Sequence, residues 1–378
     1  MHRYPRLKSI AIHSGPGQVV LWHRALRRTY LDDPTGAVAA MLRLLREGTR
    51  DVDGLTSAMV ALGHPVSATE VSAVVGALDD LCVLEATGGD EALPAEVRAR
   101  HESNLRFYDL FARLDRTSAS MHSAAADAHV LLLGAGGVGS GVLQSMAGLG
   151  VGRITLVDID TVEVKNLARQ FVYGTGAIGR PKVEAARDWV AGYSPATAVI
   201  PVHRRIAAPD DVVDLGTGVD VVVCAIDSPD DVHLILNEAC FRLGVPYVAG
   251  GLNYSTLSYW SVEPGVSACR ACLERHREDE RAGLDPVLRG APDIDRIATN
   301  RATGPVVQVV SGLMAMEAMR YITRADPPVA AATYHLIELA DRMETSISPW
   351  TRHPDCPCCA GGTGADRAER VTAGTAGA

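Results

Sequence analysis

Hydrophobic positions in this chain change period several times, and each change predicts a different element. From Val130 the run VLLL gives way to GAGGVGSG, then to an apolar stretch at helical spacing, then to a second apolar run, ITLV. Strand, glycine-rich turn, helix and strand in that order form a βαβ unit, which implies a parallel sheet. The spacing downstream predicts a helix over Lys182 to Ala191, a strand near Ala198 to Val202, and an apolar strand in VDVVVCAID that ends at Asp227. A helix over Asp230 to Leu243 and a strand over Pro246 to Ala249 follow. The fold class expected is α/β, a doubly wound, Rossmann-like and mostly parallel sheet. After Trp260 the pattern turns polar, and LERHREDERAGLDPVLRGAPDIDR reads as an exposed charged excursion. Val306 to Tyr321 is rich in Met and Ala and reads as a helix buried at the sheet or in a dimer interface.

Upstream, LKSIAIHSG, QVVLWH and RRTYLDD are three short β-rich runs separated by Gly, Pro and Asp turn signals. Ala37 to Leu45, Val52 to Leu62 and Ala68 to Leu84 then carry apolar residues at helical spacing, with Asp51 and Ser67 placed as N-caps of the latter two. Three strands followed by three helices predict a winged-helix-like unit. Its last helix carries Glu70, Asp79 and Asp80 instead of a basic face, which favours peptide binding along a strand edge over DNA; the plain alternative is a packing or dimerisation module. Thr87 to Glu96 reads as an acidic linker, Ala95 to Leu114 as a charged helix, and Ser118 to Ala128 as a loop of small residues. The expected organisation is a peptide-recognition domain over 1–86, a linker and helix over 87–128, the α/β domain over 129–360 and a disordered tail over 361–378.

Composition narrows the partners. The 378 residues are 47% hydrophobic with a formal net charge of -9, which argues against a nucleic-acid partner. Met1 to Gln18 lacks the apolar core of a signal peptide, and no stretch of about 18 uncharged apolar residues could span a bilayer, so a cytoplasmic protein is expected. Cysteine spacing adds a metal. Cys269 and Cys272 form one CxxC, Cys356 and Cys359 a second, and two such pairs suit tetrahedral Zn²⁺, with Cys358 a spare thiol or alternative ligand. Cys82, Cys224 and Cys240 lie in apolar periodic runs and read as core.

Gly134, Gly136, Gly137 and Gly139 follow a strand and open a helix, so bare backbone N–H groups can meet phosphate. With Asp158 closing the second strand, NAD and ATP fit equally well. The segments DIDTVEVKNLARQ and GRPK separate them, because Arg169 and Lys182 lie beyond the second strand, where a triphosphate would extend. Asp227, at the carboxyl end of its strand, suits a Mg²⁺ ligand; its other reading is an N-cap for the next helix.

At these residues the sequence resembles the ThiF/MoeB/HesA superfamily of adenylating enzymes, relatives of ubiquitin-activating enzymes, from about Asn104 to Cys359. The resemblance implies that the glycine loop with Asp158 and Asp160 holds ATP, that Asn166, Arg169 and Gln170 contact its phosphates, that Lys182 supplies a cation, and that Asp227 binds Mg²⁺. It also implies a structural Zn²⁺ on the four paired cysteines, and a homodimer. Ser103 in ESNLRFYD stands where many members carry an arginine, with Arg106 and Arg113 nearest to replace it. The thioester or persulfide cysteine of some members is absent from Glu274 to Gly304, where His276 is expected to be solvated. RRTYLDDPTGAVAAMLRLLREG and VSATEVSAVVGALDDLCVLE resemble PqqD-like peptide-recognition domains. A peptide clamp fused to an adenylating domain resembles microcin- and azoline-type peptide maturation enzymes, which implies a ribosomal precursor peptide bound through its leader. Two alternatives are activation of a ubiquitin-like sulfur carrier's C-terminus, and a weakly catalytic leader-binding partner of a separate cyclodehydratase.

Overall fold

The computed structural model describes residues 4–24, 26–284 and 301–359. Its backbone divides into two compact units, Met1–Ser123 and Ala124–Ala378. The first unit begins with β1 (Pro5–Leu7), β2 (Ala11–Gly15), β3 (Gln18–Arg24) and β4 (Arg27–Asp32). It continues with α1 (Ala37–Glu47), α2 (Val52–Ala61), α3 (Ala68–Asp80), β5 (Leu84–Ala86), α4 (Ala95–Arg100) and α5 (Glu102–Asp109). β2, β3 and β4 form an antiparallel sheet, while β1 pairs with β5.

The first β-rich run is therefore two strands where one was expected. It divides at Lys8, which is buried and donates through Nζ to the carbonyls of Cys82 (2.9 Å) and Ala112 (2.8 Å). α3 stops at Asp80, short of the expected Leu84, because Cys82 turns the chain at φ 56° into β5. The helical caps form as the sequence indicates: Asp51 accepts from the Gly54 N–H, and Ser67 and Glu70 close a capping box. Each such cap contributes about 1 kcal/mol.

Two further expectations need correction. Ala95 to Leu114 is not one helix but two, separated at His101. Ser118 to Ala128 is not a loop but α6 (Ser118–Asp127). Its sequence, SASMHSAAAD, has no apolar stripe. Alanine propensity and a Thr117 cap, whose Oγ1 accepts from the Ser120 N–H at 3.1 Å, favour the helix, and Ala119, Met121, His122 and Ala125 are buried along it.

The second unit is built on β6 (His129–Leu133), α7 (Gly137–Leu149), β7 (Arg153–Val157), α8 (Lys182–Tyr193), β8 (Ala198–Val202), α9 (Pro209–Gly216), β9 (Val221–Cys224) and α10 (Val232–Leu243). β10 (Tyr247–Asn253), β11 (Thr256–Val262), α11 (Arg270–Gly283), α12 (Gly304–Thr323), β12 (Thr333–Glu338) and β13 (Glu344–Pro349) complete it. One eight-stranded sheet runs β13-β12-β11-β10-β9-β6-β7-β8. The five strands from β8 to β10 are parallel, and β11, β12 and β13 extend the sheet antiparallel.

β6 is central, and apolar residues cover both of its faces. Val130 and Leu132 face a core with Met146, Val310 and Met314; Leu131 and Leu133 face another with Leu236 and Trp260. This is why VLLL shows no alternation. The chain leaves β6 toward β7 on one side and reaches β9 on the other, so the carboxyl ends of β6 and β9 flank a topological switch point, where sheets of this kind bind ligands.

α12 is buried along one face through Val307, Val310, Met314 and Ala318, as its composition suggests, and it approaches α7 closely where Gly141 meets Ser311. A Cβ on Gly141 would lie 2.5 Å from Ser311 Oγ. The charged excursion begins as the helix α11; positions 285–296 of it, and the expected tail over 361–378, lie outside the described residues. Among the described residues no helix is long and apolar enough to cross a membrane.

His233 on α10 packs edge-on against Trp260, and burial, reinforced by Arg270 and Arg277, pushes its pKa down to about 4. Because the unfolded chain protonates this ring first, stability is expected to fall as pH drops from 6.5 toward 4. The loss is at most about 3 kcal/mol. Urea unfolding of wild type and His233→Gln across that window should show a steeper decline for wild type; parallel curves would refute the assignment.

Candidate nucleotide and metal sites

The glycine turn between β6 and α7 is shaped by close backbone approach. Gly134 has φ 103°, and a Cβ there would lie 2.7 Å from the Ala225 carbonyl at the end of β9. A Cβ on Gly139 would lie 1.9 Å from the Gly134 carbonyl oxygen. Gly137 faces Val307 of α12 and the Arg169 side chain, at 3.0 Å and 3.6 Å from an added Cβ. Gly136 is the N-cap residue of α7 and has no side-chain cap, so the first N–H groups of that helix are left to a ligand.

Asp158 and Tyr173 hold this turn from both sides of one residue. Asp158 Oδ2 accepts from the Ala135 N–H at 2.7 Å, and the Tyr173 hydroxyl donates to the Ala135 carbonyl at 2.8 Å. Asp158 Oδ1 accepts from the Asp160 N–H at 2.7 Å. Asp160 in turn pairs through Oδ2 with Lys182 Nζ at 2.7 Å, an ion pair in which the lysine is buried and the aspartate exposed. Burial pushes the Tyr173 hydroxyl well above its usual pKa, with the Asp158 and Asp160 carboxylates adding to it, so the phenol stays protonated as a donor.

NLARQ lies in a tight turn beyond β7. Asn166 is buried, and its Oδ1 accepts from the Glu163 N–H at 2.8 Å, which fixes the turn. Arg169 is half-buried and donates to the Lys165 carbonyl at 3.2 Å. Gln170 is 2% exposed, its Oε1 is sealed off without a hydrogen-bond donor, and its Nε2 lies 4.0 Å from a Cβ built on Gly136. The Nε2 donor beside a bare helix N-terminus fits an acceptor oxygen of a ligand there.

Asp227 is exposed three residues beyond β9, and its carboxylate makes no hydrogen bond or ion pair among the described residues. It does not cap α10, whose N-cap residue is Asp231, so the alternative reading of Asp227 as an N-cap is set aside. Nearby Cys224 is fully buried, and burial pushes its thiol up to about 11. Cys240 is raised by the same cause, so neither is a nucleophile at neutral pH.

Four thiols gather at the start of α11. The sulfur atoms of Cys269, Cys272, Cys356 and Cys359 lie within 4.8 Å of one another, with Cys269 Sγ 3.7 Å from Cys272 and 3.5 Å from Cys356. A metal bound tetrahedrally by four thiolates spaces its sulfurs about 3.8 Å apart, so the cluster could hold a metal ion. Cys358 lies beside these four sulfurs, against the Cys269 thiol, and its Sγ accepts from Asn237 Nδ2 at 3.4 Å. His276 is not simply solvated, since its Nε2 bonds the Thr351 carbonyl at 3.1 Å. In the first unit Ser103 is exposed on α5, Arg113 is engaged by Asp79 and Asp80, and Arg106 is exposed. Tyr173 is the residue that sequence reasoning missed, because its bond to Ala135 spans 38 positions and leaves no local pattern.

The ThiF family matches residues 109–358. Molybdopterin-synthase adenylyltransferase of Salmonella typhimurium is 31% identical over 240 residues, covering 62% of this chain and 87% of that protein. Sulfur carrier protein adenylyltransferase of Thermus thermophilus is 31% identical over 239 residues, covering 61% and 82%. Among solved structures, the microcin C7 biosynthetic enzyme MccB in complex with N-formylated MccA aligns with a TM-score of 0.72 at 18% identity, over 94% of this chain and 99% of that one. With a glycine turn at the switch point of a doubly wound sheet and a match over most of its length, the chain belongs to the ThiF family and is an ATP-dependent adenylyltransferase of that kind.

Proposed function

We propose that this protein adenylates a carboxylate or amide carbonyl of a ribosomally made precursor peptide held through its leader by the first unit. One observation carries this reading. The sequence relatives cover about three fifths of the chain, 62% and 61%, whereas the likeness to MccB extends over 94% of it and so takes in the N-terminal unit. Among the described residues no further strand pairs with the edges of the β2-β3-β4 sheet, which suits strand addition, backbone pairing giving affinity and side-chain pockets selectivity. The relatives' names support the sulfur-carrier reading equally well for the second unit alone.

In the reaction proposed, a substrate oxygen attacks the α-phosphorus of ATP, the bond to the bridging oxygen breaks, and pyrophosphate leaves. The α7 N-terminus with Gly134, Gly136, Gly137 and Gly139 would receive phosphate, and Asp158 and Tyr173 keep that turn in place. Arg169 and Lys182 supply cations, with Asn166 shaping the turn that carries Arg169 and Gln170. Asp227, unpaired and exposed, would hold Mg²⁺, which supplies charge neutralisation on the leaving phosphates. No protein thiol is required, in keeping with the buried, neutral Cys224 and Cys240.

The four-thiol cluster would hold a structural Zn²⁺, tying α11 to the segment after β13. Metal analysis should find one zinc per chain. Cys269→Ser should release it and cost several kcal/mol of stability; a metal-free wild type with unchanged stability would count against it. The clamp is tested by fluorescence polarisation of a labelled leader peptide titrated with the full chain. Saturable binding is expected, and its absence for every peptide encoded beside this protein shifts the weight to the sulfur-carrier reading.

A further inference from the structure

The first unit contains a polar cavity of about 280 Å³ between the β1–β5 pair and the helices that follow, lined by Arg6, Arg98, Arg106 and Arg113 together with Glu85 and Glu91. Its charges do not cancel. Arg6 Nε pairs with Glu85 at 2.7 Å, and Arg113 is engaged by Asp79 and Asp80, leaving Arg98 and Arg106 with neither hydrogen bond nor ion pair among the described residues. Glu91 offsets only one of these two cations.

One donor is also unused. The Nε of Arg98 is sealed from solvent without a hydrogen-bond acceptor, whereas that of Arg113 faces Asp79 Oδ2 at 3.6 Å. The guanidinium groups of Arg98 and Arg106 line the cavity without an ion-pair partner among the described residues, and a small anion there would neutralise them. Guanidinium forks match the paired oxygens of a carboxylate or phosphate. Thr117 and Ser118, at the start of α6, line the same space.

We propose that this cavity binds a small oxyanion, a carboxylate or a phosphate group. The site is made wholly of first-unit residues and stands independently of the peptide reading. It gives the first unit a charge-selective pocket, suited to an acidic side chain or to a free phosphate.

The test uses the full chain saturated with a non-hydrolysable ATP analogue, so that the nucleotide site cannot take the probe. Calorimetric titrations with inorganic phosphate and, separately, with sodium acetate are compared with sodium chloride at equal ionic strength. Saturable binding of phosphate, of acetate or of both is expected, and the arm that responds identifies the source. Arg106→Ala should raise that dissociation constant about tenfold. Arg106 is exposed and unpaired, so this variant should keep the wild-type circular dichroism and melting temperature. Arg98→Lys, which keeps the charge but removes the fork, should weaken binding by a smaller factor and decides the matter should Arg106→Ala misfold. Responses no larger than that of chloride, or unchanged affinity in folded Arg106→Ala, overturn the proposal.

Discussion

Gly139→Ala is expected to abolish measurable ATP binding. The added Cβ would lie 1.9 Å from the Gly134 carbonyl oxygen and 2.6 Å from its carbon. Both are backbone atoms of the same turn, so neither can move aside as a side-chain tip could. Gly134 is itself pressed against the Ala225 carbonyl, with 2.7 Å to an added Cβ, so relief cannot come from β9 either. The turn must open, which pulls Ala135 away from Asp158 and Tyr173 and displaces the first N–H groups of α7. Overpacking of this kind costs about 3 kcal/mol in stability. Isothermal titration with ATP, paired with urea unfolding, reads both effects. Gly176→Ala is the control, since a Cβ there meets nothing within 4 Å. ATP binding by folded Gly139→Ala at wild-type strength would show that this turn does not hold the nucleotide.

Asp227→Ala and Arg169→Ala are expected to slow adenylation by about a hundredfold each, the usual consequence of removing one group that meets charge developing in the transition state. They should differ in how they fail. Asp227 is exposed and makes no hydrogen bond or ion pair among the described residues, so Asp227→Ala should keep wild-type stability and show a raised Mg²⁺ requirement. Arg169 lies against Gly137 and bonds the Lys165 carbonyl, so its loss should weaken ATP binding as well as turnover. Pyrophosphate exchange measured across Mg²⁺ and ATP concentrations separates the two. Unchanged Mg²⁺ dependence in Asp227→Ala would remove it from the metal site.

The parts of this structure legible in the sequence are those where burial on both faces or a fixed spacing left a local mark. VLLL and ITLV became β6 and β7 because no position along them meets solvent; even the edge-most residue of VLLL, Val130, is fully buried. CxxC twice over became one thiol cluster because each pair can supply only two ligands. What the sequence concealed had no such mark. α6 buries Met121, His122 and Ala125, but its run of Ser and Ala gives that face no apolar signature in the sequence. β12 and β13 are half-exposed or exposed throughout, so TYHLIE and ETSISP show no clean alternation. The contacts that tie the site together, Tyr173 with Ala135 and Lys182 with Asp160, join residues 38 and 22 positions apart. Only the path of the backbone brings them together. Asn166, for which the family resemblance implies a phosphate contact, has its Oδ1 engaged in fixing the turn that carries Arg169 and Gln170.

The central claim is peptide adenylation, and exchange of labelled pyrophosphate into ATP tests it most directly. Wild type should exchange label only when a leader-bearing precursor peptide is present, and Asp227→Ala should not exchange above background. Exchange driven by a ubiquitin-like carrier with a C-terminal glycine, with every precursor peptide silent, would contradict the account.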